Sequence, residues 1–410
     1  MTHPDWQQAT SIAAHAGAST PQPVESLPLA ECLGRVLAHT VTAGREIPHF
    51  DSSAMDGFAV SGPPPWQLEA STASGADAHA ASGARALTAG WARPILTGGA
   101  VPAGTTSVVR SEHTEVMGAD AAGQTVLRLR PDAPATDLAP ARNIRRAGRE
   151  TRAGEVLLEG GRVLSPADLA YAAVAGLDAL PVCRRPRVAL LMTGDEVITS
   201  GQPVPGQVRD TFGPALPGLV AGLGGDVIDV RRIGDDAQAT RIALHAALAA
   251  ADVVLTTGGT GHSDADHVRR ESARLASELL FPELAMRPGH PTTFAQLGGH
   301  SGAWHVGLPG NPLAAMTAIR VVVEPLLCGM LGKPLRAAHP VEMALEVRPV
   351  RVSTLMPARQ RSDGRWEPCD ARGSNMLRGL TEADGLLAVP TAGLCAGEQA
   401  QVLDLPWSQG

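Results

Sequence analysis

Hydrophobic and polar positions change their period several times along the chain. Apolar residues Leu27, Leu29, Cys32, Val36 and Leu37 fall on a helical spacing, so residues 1–44 read as helical. From Glu46 to about Asp137 the runs are short and alternating, as in SVVR at 107–110 and VLRLR at 126–130. Gly, Pro and Ala separate these runs, which predicts a β-rich module. Within it, residues 71–92 are so rich in Ala, Gly and Ser that strands and a surface loop fit them equally well. After NIRRAGRE (143–150) a helix is predicted, with Ser165 as N-cap, Pro166 at its first position, Asp168 where a capping box places its acid, and Gly176 as its stop. Residues 183–332 then alternate RVALLM, a helix near 214–223, VIDV, a helix over 237–250, DVVLTT, a helix from about Asp266 to Leu280, a strand at 305–308 and a closing helix from Pro312. That is a doubly wound α/β pattern with a mostly parallel sheet. Residues 337–410 return to short alternating segments (VEMALEV, GLLAVP, QAQVLDL), as a small barrel or sandwich would.

Composition sharpens this picture. At 410 residues the chain exceeds one ordinary core and is multidomain. Its apolar fraction is 44% but only 3% is aromatic, so the cores must be built from Ala, Val and Leu, with backbones packed closely. Lys333 is the only lysine among 34 basic residues, which excludes a P-loop lysine, a Schiff-base lysine and a catalytic lysine. A net charge of −7 gives no broad attraction to nucleic acid or anionic lipid, although a local arginine patch would escape that average. Five scattered cysteines without a CxxC pair argue against a zinc ribbon or a disulfide framework and fit the cytoplasm. The N-terminus lacks a basic and apolar leader, and charged residues or Gly break the apolar stretches early, so neither secretion nor a membrane span is expected.

Three strands of the α/β pattern end in loops rich in Gly, Asp and Asn: TGDEV (193–197), TGGTGHSDAD (257–266) and PGNPLAA (309–315). Parallel strands share one carboxyl edge, so the three loops should converge on one crevice. Gly258, Gly259, Gly261 and Gly310 would let backbone N–H groups approach a phosphorylated or oxyanionic ligand. One such loop could be a tight turn and nothing more; three on one edge favour a site. The dinucleotide spacing GxGxxG is absent. Asp195, Glu196, Asp235, Asp236, Asp264 and Asp266 punctuate the same loops and suit Mg²⁺, though Asp235 or Asp236, and Asp266, equally suit helix N-caps. HSDADH (262–267) is one residue from the dinuclear zinc signature HxHxDH; Asp264 takes the second His position in a different loop context, which favours plain loop and helix-face residues. Arg287 and His290 flank a Pro-Gly turn that could hold an oxyanion or stand in solvent, Arg145 and Arg146 divide evenly between site and salt-bridge roles, and Asp56 suits an Asx-turn or a ligand.

FDSSAMDGFAV, LTGGAVPAG, NIRRAGRE, TGDEV, the TTGG loop with Asp266, MRPGHP and GLPGNPLAA occur in this order, and together they resemble the molybdopterin molybdenumtransferases of the MoeA type, related to the C-terminal domain of gephyrin. The resemblance runs from about residue 4 to 405. It implies four parts: a helical segment (1–44 with 138–182), an inserted β-rich module (45–137), a molybdopterin-binding α/β domain (183–335) and a C-terminal β barrel (336–410). It further implies a homodimer whose cleft lies between the α/β domain of one subunit and the inserted module of the other. Members take adenylylated molybdopterin, cleave its phosphoanhydride in a Mg²⁺- and molybdate-dependent step, and release AMP and molybdenum cofactor. Carried over residue by residue, Asp56, Glu150, Glu196 and Asp266 match catalytic acids. Thr97, Thr193, Gly194, Asp195, Gly258, Gly259, Arg287, His290, Pro309, Gly310 and Asn311 match substrate-binding positions, and Glu196, Asp235, Asp236 and Asp266 match metal ligands. Transient contacts with molybdopterin adenylyltransferase and molybdoenzymes would follow, with no nucleic acid or membrane partner. Two motifs depart from the pattern: the usual KPGKP is Arg287-Pro-Gly-His290-Pro, and the usual SVGDYD is GHSDAD (261–266). A histidine at 290 carries charge only at low pH, which makes oxyanion affinity pH-dependent in this reading. An adenylyltransferase and a non-catalytic molybdopterin-binding scaffold are the alternatives; the extra β modules and SAMDG speak against the first, the retained acids against the second.

Overall fold

In the computed structural model, which describes residues 3–69, 85–119, 123–259, 267–298 and 302–408, the alternation of residues 183–332 builds a six-stranded mixed sheet. Its order is Asp226–Arg232, Arg187–Met192, Val253–Thr257, Trp304–Leu308, Thr293–Leu297 and Ala276–Phe281. The first four strands run parallel; Thr293–Leu297 runs antiparallel to them, and Ala276–Phe281, antiparallel to it in turn, shares the direction of the first four. Arg187–Met192 and Val253–Thr257 are neighbours although the chain visits Asp226–Arg232 between them, so the winding reverses here and a crevice opens at their carboxyl ends. The central strands are covered on both faces, which is why they read as continuous apolar runs. On one face Val188, Leu190, Leu255 and Val306 share a core with Leu216, Val220, Leu313 and Val322. On the other, Ala189, Leu191 and Val254 meet Ala243, Leu244 and Ala247 of the helix Ala237–Ala250.

Two expectations are corrected. The helix expected from Asp266 to Leu280 spans His267–Leu275, and from Ala276 the chain is an edge strand. Leu275, Leu279 and Leu280 continue a helical spacing, but antiparallel pairing with Thr293–Leu297 prevails. Asp266 itself, like His262, Asp264 and residues 71–84, lies outside the described residues. At the N-terminus a helix does form, Trp6–Ala18, with Asp5 and Gln8 in a capping box. The pattern from Leu27 to Leu37 is not helical: Val24–Pro28 is a strand paired with Ala179–Cys183, followed by a single 3-10 turn at Leu29–Glu31. Pro28 and Gly34 interrupt that stretch: Leu27 enters the strand, while Val36 and Leu37 make isolated bridges to Val163 and Val182. The helix Pro312–Leu331 is long and apolar enough by length and composition to cross a bilayer, but Arg320 interrupts its apolar run as expected and its most apolar stretch is 94% buried, as befits a core helix.

That helix also shows what a low-aromatic composition does. It packs on Trp6–Ala18 with glycines at the contact: a Cβ on Gly17 would lie 2.1 Å from the Leu326 carbonyl oxygen, and one on Gly329 would lie 2.3 Å from that of Ala14. The C-terminal strands form a five-stranded antiparallel sheet. Its two edges meet where the Ala344 N–H donates to the Trp366 carbonyl at 2.7 Å, closing a small barrel.

The chain divides into two compact units. The sheet, the N-terminal helix and the barrel belong to the unit comprising Met1–His39, Gly160–Ser165 and Ala179–Gly410. The other, Thr40–Glu159 with Pro166–Asp178, holds a second six-stranded sheet in the order Ser107–Arg110, Gly57–Val60, Trp91–Ile95, Trp66–Leu68, Thr125–Leu129, Thr114–Ala119. Its helix Pro166–Val174 begins at the predicted proline, and Gly176 follows with a positive φ of 81°.

Candidate functional site

The three Gly-rich loops do converge. Thr193, Gly194 and Glu196 from the first, Thr257, Gly258 and Gly259 from the second and Gly310 from the third line one cavity of about 190 Å³ at the carboxyl edge of the sheet. The Thr193 N–H and hydroxyl both donate to the Thr257 carbonyl, at 3.1 and 3.0 Å, which ties the first two loops together. Gly258 adopts φ +80°, and a Cβ there would sit 2.7 Å from the Thr193 hydroxyl, so only glycine fits. Among the described residues the N–H groups of Gly194, Gly259 and Gly310 donate to no acceptor. Three unpaired amides, one from each loop, are a donor set for an anion. Pro309 is buried and Asn311 is exposed; Asn311 occupies the N-cap position of the next helix without a side-chain bond to it, and neither residue lines the cavity.

The acids sort themselves by what they touch. Glu196 lines the cavity, and its carboxylate lies over Gly194, within 2.8 Å of where a Cβ would stand. Asp235 also lines it. Asp195 does not; it braces the loops, accepting the Asp235 N–H while its own N–H donates to the Asp235 carboxylate, both at 3.3 Å. Asp236 is a helix N-cap that accepts the Ala239 N–H at 2.7 Å. Of the expected metal ligands, Asp236 is thus engaged at its helix terminus and Asp235 by the Asp195 N–H. Among the described residues no three His, Cys, Asp or Glu side chains group closely enough to hold an ion, and Asp266 lies outside them. Glu196 with an uncommitted carboxylate, and Asp235 with one oxygen accepting only the Asp195 N–H, both line the cavity, a set that suits Mg²⁺, which takes one or two carboxylates and completes its shell with water and phosphate oxygens.

Sequence reasoning missed Arg209, Asp210, Thr211, Phe212 and Arg232 in the cavity wall. Asp210 is nearly buried, which alone would raise its pKa, but N–H donors from Gly213 and Phe212 at 3.0 Å and the Arg232 guanidinium at 2.7 Å hold the carboxyl below the usual range. The signal available was an Asp opening a turn, whose carboxylate takes the N–H groups two and three residues on, the pattern of an Asx-turn.

In the β-rich unit, Asp56 and Thr97 meet. Gly57 pairs with Ile95 in the antiparallel ladder, so the residues just outside the pair face each other. The Asp56 carboxylate accepts the Thr97 N–H at 2.6 Å and its hydroxyl at 2.9 Å, both at Oδ1, and these bonds lower its pKa. The second oxygen stays free in solvent. Glu150 is exposed, its N–H donating to the Ile47 carbonyl at 2.9 Å. Arg146 is ion-paired with Asp51, whereas Arg145 is exposed in a two-residue strand.

Arg287 and His290 stand off the Gly-loop cavity. Arg287 is stitched to the C-terminal barrel by backbone bonds to Ser353 and Leu355, with its guanidinium exposed. The His290 ring donates from Nδ1 to the Leu284 carbonyl at 2.6 Å, places Nε2 3.3 Å from the Glu283 carboxylate, and stacks on His3 at 6.0 Å.

Comparison with known proteins agrees with this arrangement. Residues 5–176 match the model for the MoeA N-terminal region (domain I and II), and residues 189–328 match that for a probable molybdopterin binding domain. A molybdopterin molybdenumtransferase 2 of Mycobacterium tuberculosis is 31% identical over 404 residues, covering 93% of this chain and 95% of the relative. A molybdopterin molybdenumtransferase of Haemophilus influenzae is 31% identical over 314 residues, 76% of this chain and 74% of its own. The crystal structure of a molybdopterin biosynthesis MoeA protein from Pyrococcus horikosii superposes with a TM-score of 0.76 at 25% identity, covering 98% and 99% of the two chains. Sequence motifs, sheet order and near full-length similarity therefore agree that this chain belongs to the MoeA family of molybdopterin molybdenumtransferases.

Proposed function

We propose that the chain inserts molybdenum from molybdate into adenylylated molybdopterin, with release of AMP. The observation that carries this reading is the trio of unpaired glycine amides from three loops, set beside Glu196 and Asp235 at the switch point of the sheet. A phosphoanhydride needs two things from a protein: donors for its non-bridging oxygens and carboxylates beside them to hold a counter-cation. Gly194, Gly259 and Gly310 supply the donors. Glu196 and Asp235 would hold Mg²⁺, which when bound neutralises phosphate charge. Asp210, committed to Arg232, stiffens the cavity wall. Asp56, ionised well into the acid range and fixed by Thr97, offers one free carboxylate oxygen to orient an attacking group. A homodimer belongs to the same reading, as do transient contacts with the enzymes that supply the substrate and receive the cofactor.

The test is direct. Purified protein incubated with adenylylated molybdopterin, Mg²⁺ and molybdate should release AMP and yield cofactor that activates an apo-molybdoenzyme. Binding of the substrate without molybdate-dependent AMP release would sink the enzyme reading in favour of a scaffold.

A further inference from the structure

In the β-rich unit the chain from Ile144 to Arg152 turns over a concavity of about 720 Å³ into which Arg146, Arg149 and Arg152 all contribute, with Glu46 the one acid among its lining residues. Arg146 is paired with Asp51, whose other oxygen accepts the Ala147 N–H at 2.8 Å. The guanidinium groups of Arg149 and Arg152 make no ion pair or hydrogen bond among the described residues; their bonds are made by the backbone, the Arg149 N–H to the Arg146 carbonyl at 3.4 Å and the Arg152 N–H to the Glu155 carboxylate at 2.9 Å. Three guanidinium charges against Asp51 and Glu46 leave a net charge of one positive in a chain whose total is −7. Three like charges gathered in one hollow repel one another unless an anion sits between them. Arginine forks match the oxygens of phosphate groups, often in pairs of parallel bonds. Of the NIRRAGRE run (143–150), Arg146 and Arg149 line this hollow, whereas Arg145 and Glu150 do not.

We propose that the Arg146–Arg149–Arg152 concavity binds a polyvalent phosphate-class oxyanion, free or carried on a small molecule. Arg146 is the fixed donor, oriented by Asp51, and Arg149 and Arg152 close on the anion from the turn. The Gly-loop cavity lies outside the comparison because its residues are untouched in every variant used.

Calorimetric titration of the full-length protein, free of divalent metal and at low salt, tests this with inorganic pyrophosphate and with fructose 1,6-bisphosphate. Arg149→Glu/Arg152→Glu should weaken binding of the preferred probe at least about tenfold and flatten its salt dependence, while Arg149→Lys/Arg152→Lys should retain most of it. Tighter pyrophosphate marks a free anion as the ligand, and tighter bisphosphate marks a carried one. Equal affinity of the wild type and the charge-reversed protein for both probes overturns the proposal, as does absence of binding to the wild type. Should the reversed protein melt at a lower temperature than the wild type, Arg149→Gln and Arg152→Gln singly give the same reading, each with a smaller loss.

Discussion

Glu196 and Asp56 are both exposed acids in loops at strand ends, but their surroundings differ in kind. Asp56 is held: one oxygen takes two hydrogen bonds from Thr97, and its pKa falls as a result. Glu196 is free: it leans over Gly194 in a cavity whose amide donors are also unspent. A held carboxylate serves as a fixed electrostatic group, whereas a free one beside free donors serves as a ligand completed by substrate. The lesson is that two acids of one family motif set can be told apart by what they have already spent.

The largest expected effect comes from the free acid. Glu196→Gln should lower kcat/KM for AMP release by about a hundredfold or more, since it removes a charge that only bound substrate and cation satisfy. Stability should be unchanged in a thermal melt, because the Glu196 carboxylate makes no hydrogen bond among the described residues and the backbone bond from the Val208 N–H to its carbonyl is kept. A loss below about threefold would place Glu196 outside the reaction.

Asp56→Asn should cost less, about tenfold in the same assay, since the hydrogen bonds that fix its geometry are partly kept. The Thr97 pair is the sharper probe. Thr97 holds the Asp56 pKa down, so Asp56 stays ionised as pH falls and protonates only at low pH. Thr97→Val keeps the backbone donor and removes the hydroxyl, so the pKa should rise and the acid limb of the pH–rate profile should move to higher pH. An unmoved acid limb would show that Asp56 ionisation does not govern the rate.

The smallest effect separates two neighbours. Asp235 lines the cavity and Asp236 caps a helix. Asp235→Asn should therefore reduce activity and leave stability alone, while Asp236→Ala should cost about 1 kcal/mol of stability and leave kcat/KM within about twofold. Denaturant melts and steady-state rates measured on both variants decide it; a reversed pattern would exchange their roles.

Much of this was legible in the residues. The central parallel strands are apolar throughout because both faces are covered, and their glycine-rich ends mark the βα turns, so the crevice follows from order alone. The edge strand Ala276–Phe281 was not legible, because Leu275, Leu279 and Leu280 suit a helix until antiparallel pairing claims them. Spacing could not separate Asp235 from Asp236, since adjacent acids share every local signal and differ only in which side chain reaches Ala239. Asp210 and Arg232 lie 22 positions apart and meet only in the folded wall, so no local pattern pairs them. The small-residue composition proved to be a packing statement as well: it is Gly17 and Gly329 that let two helices touch backbone to backbone.

The most direct test of the central claim compares molybdate-dependent AMP release from adenylylated molybdopterin by Glu196→Gln and Asp236→Ala, prepared and assayed side by side with the wild type. The crevice reading predicts release abolished to about a hundredth in the first and kept in the second. Equal rates in all three proteins would contradict it.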